Sequence, residues 1–113
     1  MTDTLKQNWE FRRAYSRGKC YSAPGLVTYI VKKRSGNVRI GITTGKKIGN
    51  AVTRSRARRV IRAAFSSLPV DKSAAVDIVF VARSRTPAMK STEICRIMQS
   101  HLAAAGILTE HKD

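Results

Sequence analysis

Apolar residues recur at helical spacing in three stretches of the chain, which predicts three amphipathic helices. Each stretch lies between a residue suited to cap a helix and a residue suited to stop one. In chain order, these pairs are Asn8 and Gly18, Thr53 and Pro69, and Ser91 and Gly106. On the first predicted helix, Phe11, Ala14 and Tyr15 share one face.

Three other stretches have the pattern of β-strands. Residues 26–33 are rich in β-branched side chains, and residues 38–44 alternate apolar and polar positions. The turn residues Ser35, Gly36 and Asn37 between them predict an antiparallel hairpin. Residues 76–82 are apolar at nearly every position apart from Asp77, which predicts a strand buried on both faces, central in the sheet or under helices. We interpret Asp77 as an edge or capping contact rather than a metal ligand.

These elements follow the order α-β-β-α-β-α, and 113 residues is the size of one domain. We therefore expect a single α+β sandwich domain over residues 1–113. The longest uncharged apolar stretch, residues 26–31, is much shorter than the roughly 20 residues that cross a bilayer, and the N-terminus lacks an apolar signal core. We expect a cytoplasmic protein with no membrane partner.

The charge of the chain is concentrated in one half. The formal net charge is +15, and no acidic residue lies between Phe11 and Val70, where fifteen Lys and Arg residues stand. A solvated basic face that serves solubility is the alternative, but the self-repulsion of so much charge argues against it. The distribution favours a surface that binds a polyanion, with nucleic acid as the leading class of partner.

The second predicted helix has one apolar and one arginine face. A basic loop, Lys46-Lys47-Ile48-Gly49-Asn50, leads into this helix. Its arginine face contains Arg56, Arg58, Arg59 and Arg62, with Arg54 near the boundary. Guanidinium groups bind two phosphate oxygens at once, so this face suits a nucleic-acid backbone. The loop lacks the glycine and lysine spacing of a nucleotide-triphosphate P-loop.

Aromatic residues are concentrated near the N-terminus, among basic ones. Five of the seven lie in the first thirty residues: Trp9, Phe11, Tyr15, Tyr21 and Tyr29. Aromatic platforms beside cationic side chains suit unpaired bases. From the pattern alone, Phe11 and Tyr15 suit a packed core equally well, and Tyr29 is equally ambiguous.

The sequence offers little for catalysis by the protein itself. His101 and His111 stand near few acids, and no triad, Cys-His pair or carboxylate pair is present in the sequence. Cys20 and Cys95 lie far apart and are expected to be free thiols rather than zinc ligands or a disulfide. We expect no catalytic residue and no metal ligand in this chain.

Three motifs together resemble a known family. They are Arg39-Ile40-Gly41-Ile42, then Lys46-Lys47-Ile48-Gly49-Asn50-Ala51-Val52, then Arg54-x-Arg56-x-Arg58-Arg59-x-Ile61-Arg62-x-x-Phe65. In these positions the chain closely resembles the bacterial ribonuclease P protein subunit. Leu5, Phe11 and Gly18 fit the family's first helix and residues 26–31 its first strand, whereas the last helix matches only in kind.

The resemblance implies a protein that works with a large catalytic RNA and magnesium to remove the 5′ leader from precursor transfer RNA. The RNA would carry out the hydrolysis and hold most of the magnesium, and no obligate protein partner is implied. In the fold, it implies that the arginine helix belongs to a left-handed β-α-β crossover, against the usual right-handed connection.

The resemblance also assigns residues to two RNA sites. Phe11, Tyr15 and Tyr29 match a cleft for the unpaired leader. The residues that match the surface against the catalytic RNA are Lys46, Lys47, Asn50, Arg54, Ser55, Arg56, Arg58, Arg59 and Arg62. The family's usual Arg-Asn-Arg reads Arg54-Ser55-Arg56 here, which puts in question any contact or water-mediated magnesium role of that amide.

Two other functions fit the composition: a ribosomal or other structural RNA-binding protein, and an independent nuclease. Composition does not separate the first of these from a ribonuclease P subunit, because both need a basic face and exposed aromatic residues. The basic loop and the arginine helix favour the ribonuclease P subunit.

Overall fold

The computed structural model describes residues 3–109, so His111 lies outside the described residues. The chain forms three α-helices and a five-stranded sheet. In chain order, the elements are β1 (Asp3–Thr4), α1 (Asn8–Arg17), β2 (Lys19–Ala23), β3 (Leu26–Lys32), β4 (Arg39–Thr43), a 3-10 turn (Lys46–Ile48), α2 (Ala51–Ser66), β5 (Val76–Ala82), a second 3-10 turn (Thr86–Ala88) and α3 (Ser91–Ala104). Within the described range, none of the helices is long and apolar enough to span a membrane.

The sheet has the strand order β1-β4-β5-β3-β2, with β5 at its centre. β5 is antiparallel to β3 and parallel to β4. The α+β class and the central position of β5 are therefore confirmed. The predicted hairpin between β3 and β4 is wrong, because β5 lies between these two strands. The hairpin that forms joins β2 and β3 through Pro24 and Gly25, and it adds a strand that the predicted order lacks.

The helices cover both faces of the sheet. α2 and α3 pack on one face, where the main core includes Leu26, Ile61, Ile78, Phe80 and Met98. α1 packs on the other face over a smaller cluster of Leu5, Ala14, Val31 and Val79. Side chains alternate between the two faces along a strand. On β5, Ile78 and Phe80 therefore pack in the main core, and Val79 packs in the smaller cluster.

The helix starts differ from the predicted caps. At α2, the side chain of Asn50 is the cap, and its Oδ1 accepts hydrogen bonds from the Thr53 backbone N–H at 2.9 Å and from its hydroxyl at 3.0 Å. Thr53 is therefore the donor inside the first turn. Asn8 and Ser91 are the first residues of their helices rather than caps. At the start of α1, the side chain of Glu10 accepts a hydrogen bond from the backbone N–H of Gln7. At the start of α3, Glu93 accepts one from the backbone N–H of Lys90 in the same way.

Candidate RNA-binding surfaces

The three predicted cleft residues come together between α1 and the sheet. The rings of Tyr15 and Tyr29 meet edge to face, with centroids 5.1 Å apart. The Tyr15 hydroxyl is 2.7 Å from Oγ1 of Thr43 on β4, which holds the ring over the sheet. Tyr15 is 40% exposed and Tyr29 is half-buried, so aromatic surface stays open to a ligand. We call this surface, with Phe11, the aromatic cleft.

Phe11 forms the other end of the aromatic cleft and is half-buried. It packs against the cluster that includes Leu5 and Val79, so it serves the core as well as the cleft. A β-carbon at Gly41 would come within 2.6 Å of its ring, so only glycine lets Phe11 lie this close to β4. This close approach explains why glycine stands at position 41 of the Arg39-Ile40-Gly41-Ile42 motif.

The phenol of Tyr29 adds no negative charge to the aromatic cleft. A side-chain hydrogen bond with Cys20, partial burial and the nearby Tyr15 raise the pKa of Tyr29 above its usual value. The phenol is therefore protonated at neutral pH.

A group of five buried or half-buried charges lies under α1, and we call it the ion cluster. Asp77 on β5 is fully buried and accepts from Nε and Nη2 of Arg39 at 3.0 Å each. Nη2 of Arg13 and Nζ of Lys33 approach the same carboxylate at 2.8 and 2.9 Å. Arg39 also pairs with Glu10. The expected edge or capping role of Asp77 is therefore wrong, because three basic groups from α1, β4 and the end of β3 converge on it.

Both carboxylates of the ion cluster are ionised at neutral pH. Burial alone would raise the pKa of Asp77, but hydrogen bonds from Arg39, Lys33 and Arg13 lower it below its usual value. Burial likewise opposes ionisation of Glu10, but backbone hydrogen bonds and the charge of Arg39 lower its pKa. The three cations exceed the two carboxylates, so the cluster adds positive charge beneath α1.

The predicted arginine residues form one surface along α2, which we call the arginine face. Ala57, Ile61, Ala64 and Phe65 are the buried side of the helix. Arg56, Arg59 and Arg62 are exposed, whereas Arg54, Ser55 and Arg58 are half-buried. Arg58 donates from Nη1 to Thr44 Oγ1 at 2.7 Å, so it also fastens the end of β4 to the helix.

The basic loop extends the arginine face beyond the start of α2. Lys46 and Lys47 are exposed on the 3-10 turn that precedes the helix, and Asn50 is exposed while its side chain caps the helix. Gly49 has a φ of 139°, a conformation that other residues rarely adopt, so it sets the angle between turn and helix. The two lysines therefore stand at the positive end of the α2 dipole.

The aromatic cleft and the arginine face meet at β4. A groove of about 180 Å³ is lined by Phe11 from the cleft, Gly41 and Ile42 from β4, and Arg62 from α2. Sequence reasoning gave the two sets of residues but not their shared groove, because α1 and α2 reach β4 from opposite faces of the sheet. One continuous surface thus runs from the aromatic rings to the guanidinium groups.

The structure shows how the candidate metal-ligating and nucleophilic side chains of the described residues are placed. Among them, no three His, Cys, Asp or Glu side chains come together to hold a metal ion. His101 is buried, lies 2.8 Å from the Thr28 hydroxyl through Nδ1, and has a pKa lowered by burial, so it is a neutral packing residue. Cys20 and Cys95 are free thiols, as predicted.

Comparisons with known proteins identify the family of this chain. The family model described as Ribonuclease P matches residues 1–106. The chain is 38% identical to the ribonuclease P protein component of Clostridium botulinum over 104 residues, which cover 91% of this chain and 94% of that protein. It is 39% identical to that of Oceanobacillus iheyensis over 105 residues, which cover 92% and 87%.

Solved structures show the same fold. The RNase P protein of Staphylococcus aureus superposes with a TM-score of 0.78 at 28% identity, covering 96% of this chain and all of that one. That of Thermotoga maritima gives a TM-score of 0.75 at 20% identity, covering 90% and 96%. By sequence and by fold, this chain therefore belongs to the ribonuclease P protein component family, whose members act in transfer RNA processing together with RNA.

Proposed function

We propose that this chain is the protein subunit of a ribonuclease P holoenzyme that removes the 5′ leader of precursor transfer RNA by magnesium-dependent endonucleolytic cleavage. The observation that carries the proposal is the groove that joins the aromatic cleft to the arginine face, because Phe11 and Arg62 both line it. Two RNA strands bound on these surfaces would lie next to each other. A holoenzyme needs this arrangement, because the catalytic RNA must act at the junction of leader and transfer RNA.

The aromatic cleft suits the leader because the leader is unpaired. Tyr15 and Tyr29 present ring surface, and Phe11 closes the end of the cleft against β4. Stacking on aromatic rings tolerates any base, so the cleft would accept leaders of different sequence. The protonated Tyr29 phenol and the excess positive charge of the ion cluster favour the phosphates of the same strand.

The arginine face suits the catalytic RNA because it is rigid and long. Guanidinium groups stand at five positions between residues 54 and 62 of the 16-residue α2, and the exposed lysines of the preceding turn extend the charge. Groups fixed on one helix can contact successive phosphates of a folded RNA without losing much conformational freedom on binding. Ser55 stands half-buried between Arg54 and Arg56, where its hydroxyl can contact RNA but no amide is present.

Magnesium in this proposal is bound by the RNA. Among the described residues, no three His, Cys, Asp or Glu side chains come together to hold a metal ion. Glu10 is paired with Arg39, and Asp77 is engaged by arginine and lysine groups. The contribution of the chain is to hold the leader and to lower the repulsion between RNA strands. It should therefore reduce the magnesium concentration that cleavage requires and tighten substrate binding. We place this activity in the cytoplasm.

Reconstitution tests the proposal. A bacterial ribonuclease P RNA is combined with precursor transfer RNA at low magnesium, with and without the full-length chain, and cleavage at the mature 5′ end is measured. The protein should restore cleavage, and the protein without RNA should not cleave. The Arg59→Ala/Arg62→Ala variant should stimulate less than a Lys90→Ala/Arg96→Ala control of equal charge. A structural RNA-binding protein of another assembly would give no stimulation, and this result would overturn the proposal.

A further inference from the structure

The flank of α1 that faces away from the aromatic cleft carries its own set of residues. Trp9, Arg13 and Arg17 are spaced by four and therefore form one stripe along the helix. Phe11 and Tyr15 form a second stripe, rotated by about half a turn. The proposed function places bases only on the second stripe, and from the first stripe it uses only the charge of Arg13 within the ion cluster.

A wide groove lies beside the first stripe. It is about 770 Å³ and runs between α1 and the connection from β3 to β4, and we call it the Trp9 groove. The described residues that line it include no acid. They are Trp9, Arg13, Arg17, Val31, Lys32, Lys33, Arg34, Ser35, Gly36, Asn37 and Arg39.

The basic residues of the Trp9 groove divide into two groups. Arg13, Lys33 and Arg39 neutralise Asp77 and are thereby held in place. Arg17, Lys32 and Arg34 are exposed, and within residues 3–109 they form no ion pair. Three cations are thus left to bind an anion from outside. The ion cluster holds the neighbouring side chains of the groove in place.

Trp9 has the properties of a stacking platform. It is 52% exposed, which is unusual for the largest apolar side chain. The guanidinium carbon of Arg13 lies 5.0 Å from the ring centroid, and Nη2 of Arg13 is 2.8 Å from the buried carboxylate of Asp77. The ring is therefore oriented by a cation–π contact that the ion cluster supports, and much of its surface is open to a base.

We propose that the Trp9 groove is a second site for single-stranded RNA, which takes the part of the leader upstream of the segment in the aromatic cleft. A shallow depression over the outer surface of α1 joins the two, and its lining includes Tyr15, Arg12, Ser16 and Trp9. A strand that leaves Tyr15 can thus continue over Arg12 to Trp9 without leaving basic surface. The identity of the RNA as leader rests on the proposed function, whereas the binding of RNA in the groove does not.

The first experiment uses the protein alone. Trp9 is the single tryptophan of the chain, so its fluorescence reports on this groove directly. Titration with an oligouridylate of about ten nucleotides should quench it, because a stacked base contacts the indole. The Arg17→Ala/Arg34→Ala variant should bind about five- to tenfold more weakly by this signal. The Lys90→Ala/Arg96→Ala control removes two exposed cations from the other side of the molecule and should bind like the parent.

Three results of this titration would overturn the proposal. The first is that RNA does not quench the fluorescence of the parent. The second is that Arg17→Ala/Arg34→Ala binds RNA with the same affinity as the parent. The third is that both double variants lose the same amount of affinity. The second result would mean that RNA reaches Trp9 from the aromatic cleft. The third would mean that only total charge matters.

The second experiment identifies the strand. Holoenzymes with parent protein or Arg17→Ala/Arg34→Ala are compared for affinity to precursors with leaders of about four and about ten nucleotides. The variant should lose affinity for the long leader and keep it for the short one. Equal affinities of variant and parent for both precursors, or an equal loss for both, would exclude the upstream leader as the ligand. If the parent protein itself gave no stimulation in reconstitution, the proposed function would fail, and the fluorescence titration would still decide whether the groove binds RNA.

Discussion

The ring of Phe11 lies against the backbone of Gly41, so close that a β-carbon there would fall 2.6 Å from Cε1 and 2.7 Å from Cζ of the ring. One end of the aromatic cleft thus depends on the absence of a side chain on β4. The glycine therefore fixes the position of the Phe11 ring by leaving this space empty.

The Gly41→Ala substitution should displace Phe11, because the methyl group would overlap its ring. We expect a loss of about 1 to 3 kcal/mol in the free energy of unfolding, as for other overpacked cores, and weaker binding of precursor transfer RNA by the holoenzyme. Urea unfolding and substrate titration measure the two effects. Gly45→Ala is the control, since nothing lies within 4 Å of a β-carbon there. Parent-like values for Gly41→Ala would show that Phe11 is not fixed by this contact.

Replacement of Tyr15 should separate substrate from product. Because Tyr15 is 40% exposed, Tyr15→Ala should reduce precursor affinity by about tenfold through the lost stack, with little change in stability. Affinity for mature transfer RNA, which has no leader, should stay as in the parent. Tyr15→Phe keeps the ring and loses the hydroxyl contact to Thr43, so it should retain most of the affinity. Equal losses for precursor and mature transfer RNA would contradict a leader site.

The arginine face should determine how binding of the catalytic RNA depends on salt. Each phosphate contact releases counterions, so Arg59→Ala/Arg62→Ala should reduce the slope of log K against log salt by about 2. Binding titrations at several potassium concentrations give the slope. Lys90→Ala/Arg96→Ala, which removes the same charge elsewhere, should leave the slope close to that of the parent. If both variants changed the slope equally, α2 would have no special place in the interface.

Asp77 should be the most sensitive polar residue of the fold. Asp77→Asn leaves Arg13, Lys33 and Arg39 without their shared carboxylate, and we expect a loss of about 3 to 5 kcal/mol in the free energy of unfolding. Urea unfolding followed by circular dichroism measures it. Asp71→Asn is the matched control, because that side chain accepts only from the nearby Ser73 and an amide oxygen can do the same. A loss as small as in the control would mean that the ion cluster contributes nothing to stability.

The ion cluster also predicts how stability depends on pH. The folded-state pKa values of Glu10 and Asp77 lie below their ordinary values of 4.5 and 3.8, so their contribution is complete above those values and is lost as pH falls through the lower folded-state values. His101, buried and neutral, adds an earlier loss as pH falls below 6.5, since the unfolded chain takes up a proton first. Urea unfolding between neutral and acidic pH should therefore give a steady decline. The decline below pH 4.5 should be smaller in Asp77→Asn, and an equal decline would exclude Asp77 as a cause.

Local patterns were sufficient for the helices and for three strands. The amphipathic spacing of α2 and the apolar run of β5 gave both their positions and their burial, because each of these patterns reflects a single packed face or a fully covered strand. The arginine face came from the helical pattern of α2. The aromatic residues came from their clustering among basic residues, and the family resemblance assigned three of them to a cleft rather than to the core. Their geometry follows from pairings that connect distant parts of the chain.

The wrong hairpin, the missed strand β2 and the wrong role of Asp77 all depend on tertiary contacts. The turn at Ser35, Gly36 and Asn37 has the composition of a hairpin, but β5 has the apolar surface to pair with both neighbours and therefore lies between them. β2 was missed because, as an exposed edge strand, it lacks apolar alternation. The partners of Asp77 lie up to 64 positions away along the chain, and sequence spacing gives no information on contacts of that range.

Because β5 is both the central strand of the sheet and the last strand of the chain, the sheet is completed late in synthesis on the ribosome. The strands on both sides of β5 precede it in the chain, so β4 and β3 emerge with one open edge each. Until residues 76–82 follow, the β2–β3 hairpin can form, but β4 can pair only with the two residues of β1, and Asp77 has not yet met its cations. The groove shared by Phe11 and Arg62 is therefore completed late. A nascent chain released before β5 would carry most of the positive charge of the protein without the sheet that arranges this charge on one surface.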